Sequence, residues 1–293
     1  MSIKSLKHSI SSLRLAKKAT SAIFKDSIFS SLVTEYLDSE TPSNPFMHSN
    51  INHSSKSIYY DTIKKLIEDK KSTELEIKAI ALKFQKILSL EIQQDTIQRM
   101  LNGQYADHMT NTGGTYDIIP ISFECPRCKK EFPTFNLEQT FKANINLLPT
   151  LSTVWHPHRL TKNLKTIGTL INNPFEPNNN NKADYYTPLN LLVVYNGNHS
   201  ANVALYENNS FITNAYVYRM NNWFDNIFFN PSTNAFYHIK CNQKVTPEKI
   251  FHENIGYIYE IARLLYQNDI SFTITEIEKA SNLVQKDVQE SDF

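Results

Sequence analysis

The feature that most constrains this fold is a change of hydrophobic period near Gly113-Gly114. Before it, apolar residues recur every three to four positions. After it, they gather in short runs rich in β-branched and aromatic residues. A 3.6-residue period lays one apolar stripe along a helix, whereas short β-rich runs bounded by turn residues read as strands. One such change predicts an N-terminal helical region followed by an α+β domain. The boundaries fall at residues 1–105 for the helical region, 106–270 for the α+β domain and 271–293 for an acidic C-terminal tail.

Within the helical region, Ile3, Leu6, Ile10, Leu13, Phe24 and Ile28 mark a first helix, interrupted at Lys17 and Thr20. Lys7, Arg14, Lys18 and Lys25 lie on another side of it. A second helix fits Lys56 to Lys71, with Tyr59, Ile63, Leu66 and Ile67 inward. The third runs from Thr73 to Leu101 and opens on a capping box, Thr73 with Glu76. Further on, Tyr116–Phe123, Leu189–Tyr195, Phe211–Met220 and Ala235–Ile239 read as strands. Helices are expected near His158, near Asn198 and from Thr246-Pro247, where a cap precedes proline at the first helical position. The Asn178–Asn181 run reads as a solvated loop.

Composition narrows the class. With 41% hydrophobic residues, 20% charged residues and a formal net charge of +1, the 293-residue chain is globular rather than disordered or fibrous. No apolar run reaches the roughly 20 residues a membrane-spanning helix needs, and no secretory signal is legible. The expectation is a cytoplasmic, bacterial protein. Near-neutral charge argues against a coat of nucleic acid along the whole surface and leaves room for a local basic face. The basic side of the first helix reads mainly as a solvated face, and the N-terminal helices are a candidate surface for a protein partner.

Three cysteines make no disulfide framework. Cys125 and Cys128 form a Cys-Pro-Arg-Cys pair in a segment that looks like one knuckle of a zinc ribbon. Zinc takes four tetrahedral ligands, and Cys241, in His238-Ile-Lys-Cys241, supplies a second pair with the same spacing. The expected set is Cys125, Cys128, His238 and Cys241 around a structural Zn2+, joining segments about 110 residues apart. The alternative is a free Cys-x-x-Cys with an unrelated buried Cys241.

Leu191–Tyr195 is a buried-strand run that leads into Asn196-Gly197-Asn198-His199-Ser200 and a short helix. A glycine turn between strand and helix aims backbone amides at one point, which suits a phosphate. His199 and Ser200 add side-chain donors there. The alternative is an ordinary turn with a capping or buried histidine.

These residues resemble the ParB/sulfiredoxin-like superfamily, in which a strand enters a Gly-x-His-Arg or Gly-x-Arg-Arg box that binds nucleotide phosphates. His156-Pro157-His158-Arg159 looks like that superfamily's early segment, and the likeness covers Val154 to Met220. It implies a ParB/sulfiredoxin-like mixed domain carrying a zinc-knuckle insertion. Gly197, Asn198, His199, Ser200, Arg159 and His156 would face the phosphate. Ser200 departs from the pattern by standing where an arginine is usual, which removes a bidentate donor. The same His-Pro and Gly-Asn-His-Ser pairing also resembles a bacterial family of unknown function common on mobile elements.

The function expected is therefore binding of a nucleotide or nucleic acid, in mobile-element or phage-defence biology. One alternative is a phosphotransferase or nuclease with His199 as general base. Another is a non-catalytic protein-interaction module.

Overall fold

A computed structural model describes residues 56–103, 127, 136–220, 223–245, 250 and 252–290, all within the unit Ser55–Phe293. The first predicted helix, its basic side and the strand at Tyr116–Phe123 lie outside the described residues. The architecture is mixed α+β, with a helical region preceding a sheet.

Two helices come first, α1 (Ser57–Asp69) and α2 (Glu74–Leu101). Thr73 and Glu76 form the expected capping box reciprocally. A five-stranded sheet follows, built from β1 (Asn136–Asn144), β2 (Thr150–Ser152), β3 (Lys182–Thr187), β4 (Leu191–Asn196) and β5 (Phe211–Arg219), in the order β1-β5-β3-β4-β2. β1 with β5 and β3 with β4 are antiparallel, while β3 with β5 and β2 with β4 are parallel. The parallel pairs need crossovers. Helix α3 (Pro157–Thr166) lies between β2 and β3, and α4 (Asn198–Ala204) lies between β4 and β5. The hairpin β6 (Ile227–Asn230) and β7 (Ala235–His238) precedes helices α5 (Glu253–Gln267) and α6 (Ile274–Glu290).

One sheet face is the main core. Phe141, Tyr185, Leu192, Val194, Ala215 and Val217 are buried there with Ala201, Ala204 and Leu205 from α4 and its end, and with Ile277 of α6. Alternate strand residues point the same way, so the apolar alternation of β3 and β5 dictates this face.

Helix α2 covers the edge at β2. An edge strand carries unpaired amides that must be satisfied or covered. Here the Thr150 amide donates to Ser89 Oγ and the Ser152 amide to Gln93 Oε1 of α2 (both 3.3 Å). This explains why Ser89 and Gln93 are buried polar residues on a helix that otherwise buries Leu88 and Ile92. Gln85 Nε2 donates to the carbonyls of Leu189 and Ile258, tying α2 to both the sheet and α5 (3.0 Å each).

The β6–β7 hairpin packs on α5. Phe224 and Phe236 meet Tyr259 edge to face (5.0 and 4.9 Å). Phe229 lies so close to Gly256 that a Cβ there would sit 2.4 Å from the ring. The aromatic concentration at 223–229 is thus packing.

Two boundaries differ from the sequence reading. The last long helix begins at Glu253 behind a His252 cap rather than at Thr246-Pro247; residues 246–249 lie outside the described residues. Residues 271–290 are not a loose tail. They carry α6, opened by Thr273, whose hydroxyl receives the Glu276 amide (3.2 Å), and they place Ile277 in the core with 1% exposure.

Candidate functional site

Two connectors meet at the C-terminal ends of β2 and β4. After β4 the chain reverses at Gly197, whose φ of +73° is costly for any residue with a side chain. Space forbids one as well. A Cβ at Gly197 would lie 2.4 Å from Asn181 Nδ2 and 2.8 Å from the Asn180 carbonyl.

Asn181 is therefore not a solvated loop residue as its sequence suggested. It is 6% exposed, and its Nδ2 donates to Ser200 Oγ (3.1 Å). The Ser200 hydroxyl donates in turn to the Gly197 carbonyl (3.0 Å), and the Gly197 amide donates to Asn196 Oδ1 (3.0 Å). Asn198 is buried, and its carbonyl receives the Ser152 hydroxyl (2.6 Å). The Ser200 hydroxyl and the Gly197 amide are thus spent on holding the turn together.

His199 makes the other connection. It is buried at 5% exposure, and its Nε2 accepts the backbone amide of His156 (3.1 Å). An Nε2 that accepts leaves the proton on Nδ1, so the ring is the neutral Nδ1–H tautomer. Burial, followed by nearby Arg159 and His156, lowers its pKa to about 4. Trp155 meets the ring edge to face at 4.6 Å. Beneath these groups, Gln93 Oε1 accepts from Asn202 Nδ2 (2.8 Å), which joins α2 to α4 in a buried polar seam. No periodicity in the sequence pointed to Gln93 or Asn202; a buried amide on a helix is legible only once its strand edge is known.

Held by His199, the His156 backbone starts α3, and the His156 side chain caps it by accepting from the Arg159 amide (3.5 Å). Proline at the first helical position pre-sets the geometry. Leu160 alone of α3 is buried, fitting between Val154, Met100 and Val203. His158, Arg159, Lys162 and Lys165 are exposed, and the helix contains no acidic residue. Among the described residues no carboxylate lies within ion-pair distance of Arg159, Lys162 or Lys165. The nearby Glu207 is turned instead onto Thr169, accepting from its amide and hydroxyl (2.9 Å each). The structure thus brings His156, Arg159 and His199 together and places solvent-facing cations beside them.

Of the expected metal ligands, His238 is fully buried at the end of β7, and Cys241 is half-buried in the turn that follows. Cys125 and Cys128 lie outside the described residues. Among the described residues no group of three or more His, Cys, Asp or Glu side chains gathers to hold a metal. No zinc knuckle is seen among them.

Fold and site define a mixed α+β protein whose basic helix is fixed to helix α4 by a buried histidine. The chain belongs to the family of unknown function DUF6710, whose model matches residues 41–272. No curated protein and no solved structure matches this chain. The match corrects the resemblance to the ParB/sulfiredoxin-like superfamily, for which no family model matches. The physical reason is visible in the turn. A strand, a glycine reversal and a short helix recur wherever a chain doubles back, and here Ser200 and Gly197 serve that reversal. No helix among the described residues is long and apolar enough to cross a membrane.

Proposed function

We propose that this protein binds nucleic acid through the phosphate backbone, with α3 as the contacting element. The observation that carries the reading is a ten-residue helix with three exposed cations, no acidic residue and no ion pair among the described residues. Surface cations are ordinarily interspersed with carboxylates. Arg159 and Lys162 are three apart and Lys162 and Lys165 again three apart, a spacing that lays them along one side of a helix. Phosphates spaced along a strand can be met by such a row, with Arg159 supplying a planar donor fork and the lysines point charges. His156 stands at the head of the row. The Gly197 amide and the Ser200 hydroxyl of the Gly-Asn-His-Ser turn serve position rather than phosphate contact.

Catalysis at His199 draws less support. A general base must reach a substrate proton with a free nitrogen. The Nε2 of His199 holds the His156 amide, and a pKa of about 4 leaves it a weak base at neutral pH. The reading is a binding protein, with nuclease or phosphotransferase chemistry as the alternative.

The test is fluorescence anisotropy of labelled single-stranded DNA, duplex DNA and RNA against the full chain over a salt series. Binding is expected to weaken linearly in log K against log salt. The slope should fall by about one for each of Arg159→Ala, Lys162→Ala and Lys165→Ala. Free ATP, CTP and GTP are expected to compete weakly. Unchanged binding in the triple variant, or none at low salt, would sink the proposal.

A further inference from the structure

We propose that the corner formed by α3 and the turn after it grips duplex DNA and drives Leu170, backed by Ile171, between two base pairs from the minor groove. This rests on the phosphate-binding reading of α3 and names what that helix holds.

Apolar surface gathers here where solvent would ordinarily meet polar groups. Seven large hydrophobic side chains are exposed among the described residues, and four of them are Leu164, Leu170, Ile171 and Tyr206. Single exposed leucines are ordinary, whereas a group of them marks a contact surface. These four converge on one corner. Leu164 lies in the last turn of α3, Leu170 and Ile171 lie in the short 3-10 turn Thr169–Ile171, and Tyr206 precedes the Glu207 that holds Thr169. Leu170 is 101% exposed, so the fold gains nothing from its apolar side chain.

The turn that carries it is nevertheless held firmly. The Gly168 amide donates to the Asn173 carbonyl (2.8 Å), and the Asn173 amide donates back to the Gly168 carbonyl (3.1 Å). Asn172 closes the turn at a φ of +53°, with its amide on the Thr169 carbonyl (3.1 Å). Asn173 Nδ2 donates to the Thr166 carbonyl at the end of α3. With Glu207 receiving the Thr169 amide and hydroxyl, the tip is fixed both to α3 and to the chain that follows α4. A wedge has to be held in this way, because ordering a loose loop on binding costs conformational entropy.

Charge and shape select the partner. Lys165 stands five residues before Leu170, so their Cα atoms lie within about 18 Å of each other, a span of about five base pairs. The cations of α3 can therefore hold phosphates of the same duplex that the tip enters. Aliphatic wedges beside basic groups prise open a base step and kink DNA from the minor groove. Single strands are gripped by aromatic faces on which bases stack, and neither Leu170 nor Ile171 offers one. Duplex RNA is met through its 2′-hydroxyls and phosphates across a shallow minor groove, which gives an aliphatic tip nothing to enter. A membrane takes a broad apolar face along a helix, whereas α3 exposes Leu164 and buries Leu160.

The test uses the full chain and a duplex with 2-aminopurine at a central TA step and a donor and acceptor dye at its two ends. Pyrimidine–purine steps are the easiest to unstack. The wild-type protein is expected to raise the 2-aminopurine emission and to shorten the end-to-end distance. Leu170→Ala, a change at a fully exposed side chain, should still form the complex at low salt and lose both signals. The triple variant of Arg159, Lys162 and Lys165 to alanine should lose the complex itself. A wild-type complex that leaves both signals unchanged, or signals kept by Leu170→Ala, overturns the wedge while the phosphate reading stands. No complex at low salt overturns both. Binding to phosphatidylserine vesicles that Leu170→Ala abolishes, without either DNA signal, overturns the wedge in favour of a membrane partner.

Discussion

At the scale of single residues, His199 and Asp184 act on stability in opposite directions. The folded pKa of His199, about 4 against an ordinary 6.5, lies below its unfolded value. Its neutral form is the one the fold accepts, so as pH falls from 6.5 to 4 the unfolded chain takes up a proton that the folded one refuses, and stability is lost. Asp184, on β3, is pushed up to about 6 from 3.8 by burial, against the opposing hydrogen bond from the Tyr186 hydroxyl (3.3 Å). Its folded pKa is raised, so the fold takes up that proton first and gains stability as pH falls from 6 to 3.8. The two effects offset each other across nearly the same window. Melting temperatures of His199→Gln and Asp184→Asn, each taken relative to wild type, separate them. The His199→Gln difference should become more favourable as pH falls from 6.5 to 4, and the Asp184→Asn difference less favourable. A flat His199→Gln difference would mean that the imidazole is not held neutral by the His156 amide.

At the scale of elements, α6 shows what a charge pattern conceals. Read as an acidic tail, it buries Ile277 in the sheet core and sends Glu276 to the amine of Lys78 on α2 (2.9 Å). Lys78 is itself almost fully buried, between Glu74 and Glu276. Ile277→Ala is expected to cost about 2–5 kcal/mol by denaturant titration, the range for a core isoleucine emptied to alanine. A cost near zero would return this segment to the status of a loose tail. The helices with caps and continuous stripes, such as α2 behind Thr73, were legible in the sequence because their signals are local. So was β4, a run of buried apolar residues ending at Gly197. β1, β2 and β3 were not. β1 is polar at most positions, β2 has three residues, and β3 alternates lysine and aspartate with core residues. β1 and β2 depend on partners 30 or more residues away in β5 and β4, and β3 depends on the similarly distant β5 as well as on the adjacent β4. The same applies to the site. His199 and the basic helix could be picked out by type and spacing, whereas their link through the His156 amide is a tertiary contact without a sequence signature.

At the scale of the whole molecule, α2 determines how the unit behaves on unfolding. Along one side it closes the β2 edge through Ser89 and Gln93, and it reaches α4 through Gln93 and Asn202. Gln85 binds both the β3–β4 turn and α5, Asn254 Nδ2 of α5 donates to the Leu88 carbonyl (3.0 Å), and Lys78 grips α6. A buried donor or acceptor left without its partner costs about 1–3 kcal/mol, so neither the sheet nor the α5 hairpin can separate from α2 without exposing several such groups together. That predicts one cooperative transition for sheet and hairpin. The chain's two tryptophans report on it from opposite parts of the unit, Trp155 where β2 leads into α3 and Trp223 buried ahead of the β6–β7 hairpin. Denaturant curves of the single-tryptophan variants Trp155→Phe and Trp223→Phe, each compared with its own far-ultraviolet dichroism, are expected to coincide within each protein. Weakening the spine with Gln85→Leu should lower both midpoints together, because the Leu189 and Ile258 carbonyls lose the same donor. A hairpin signal that melts while the Trp155 signal holds would show that α2 does not couple them, and that sheet and hairpin fold as separate units.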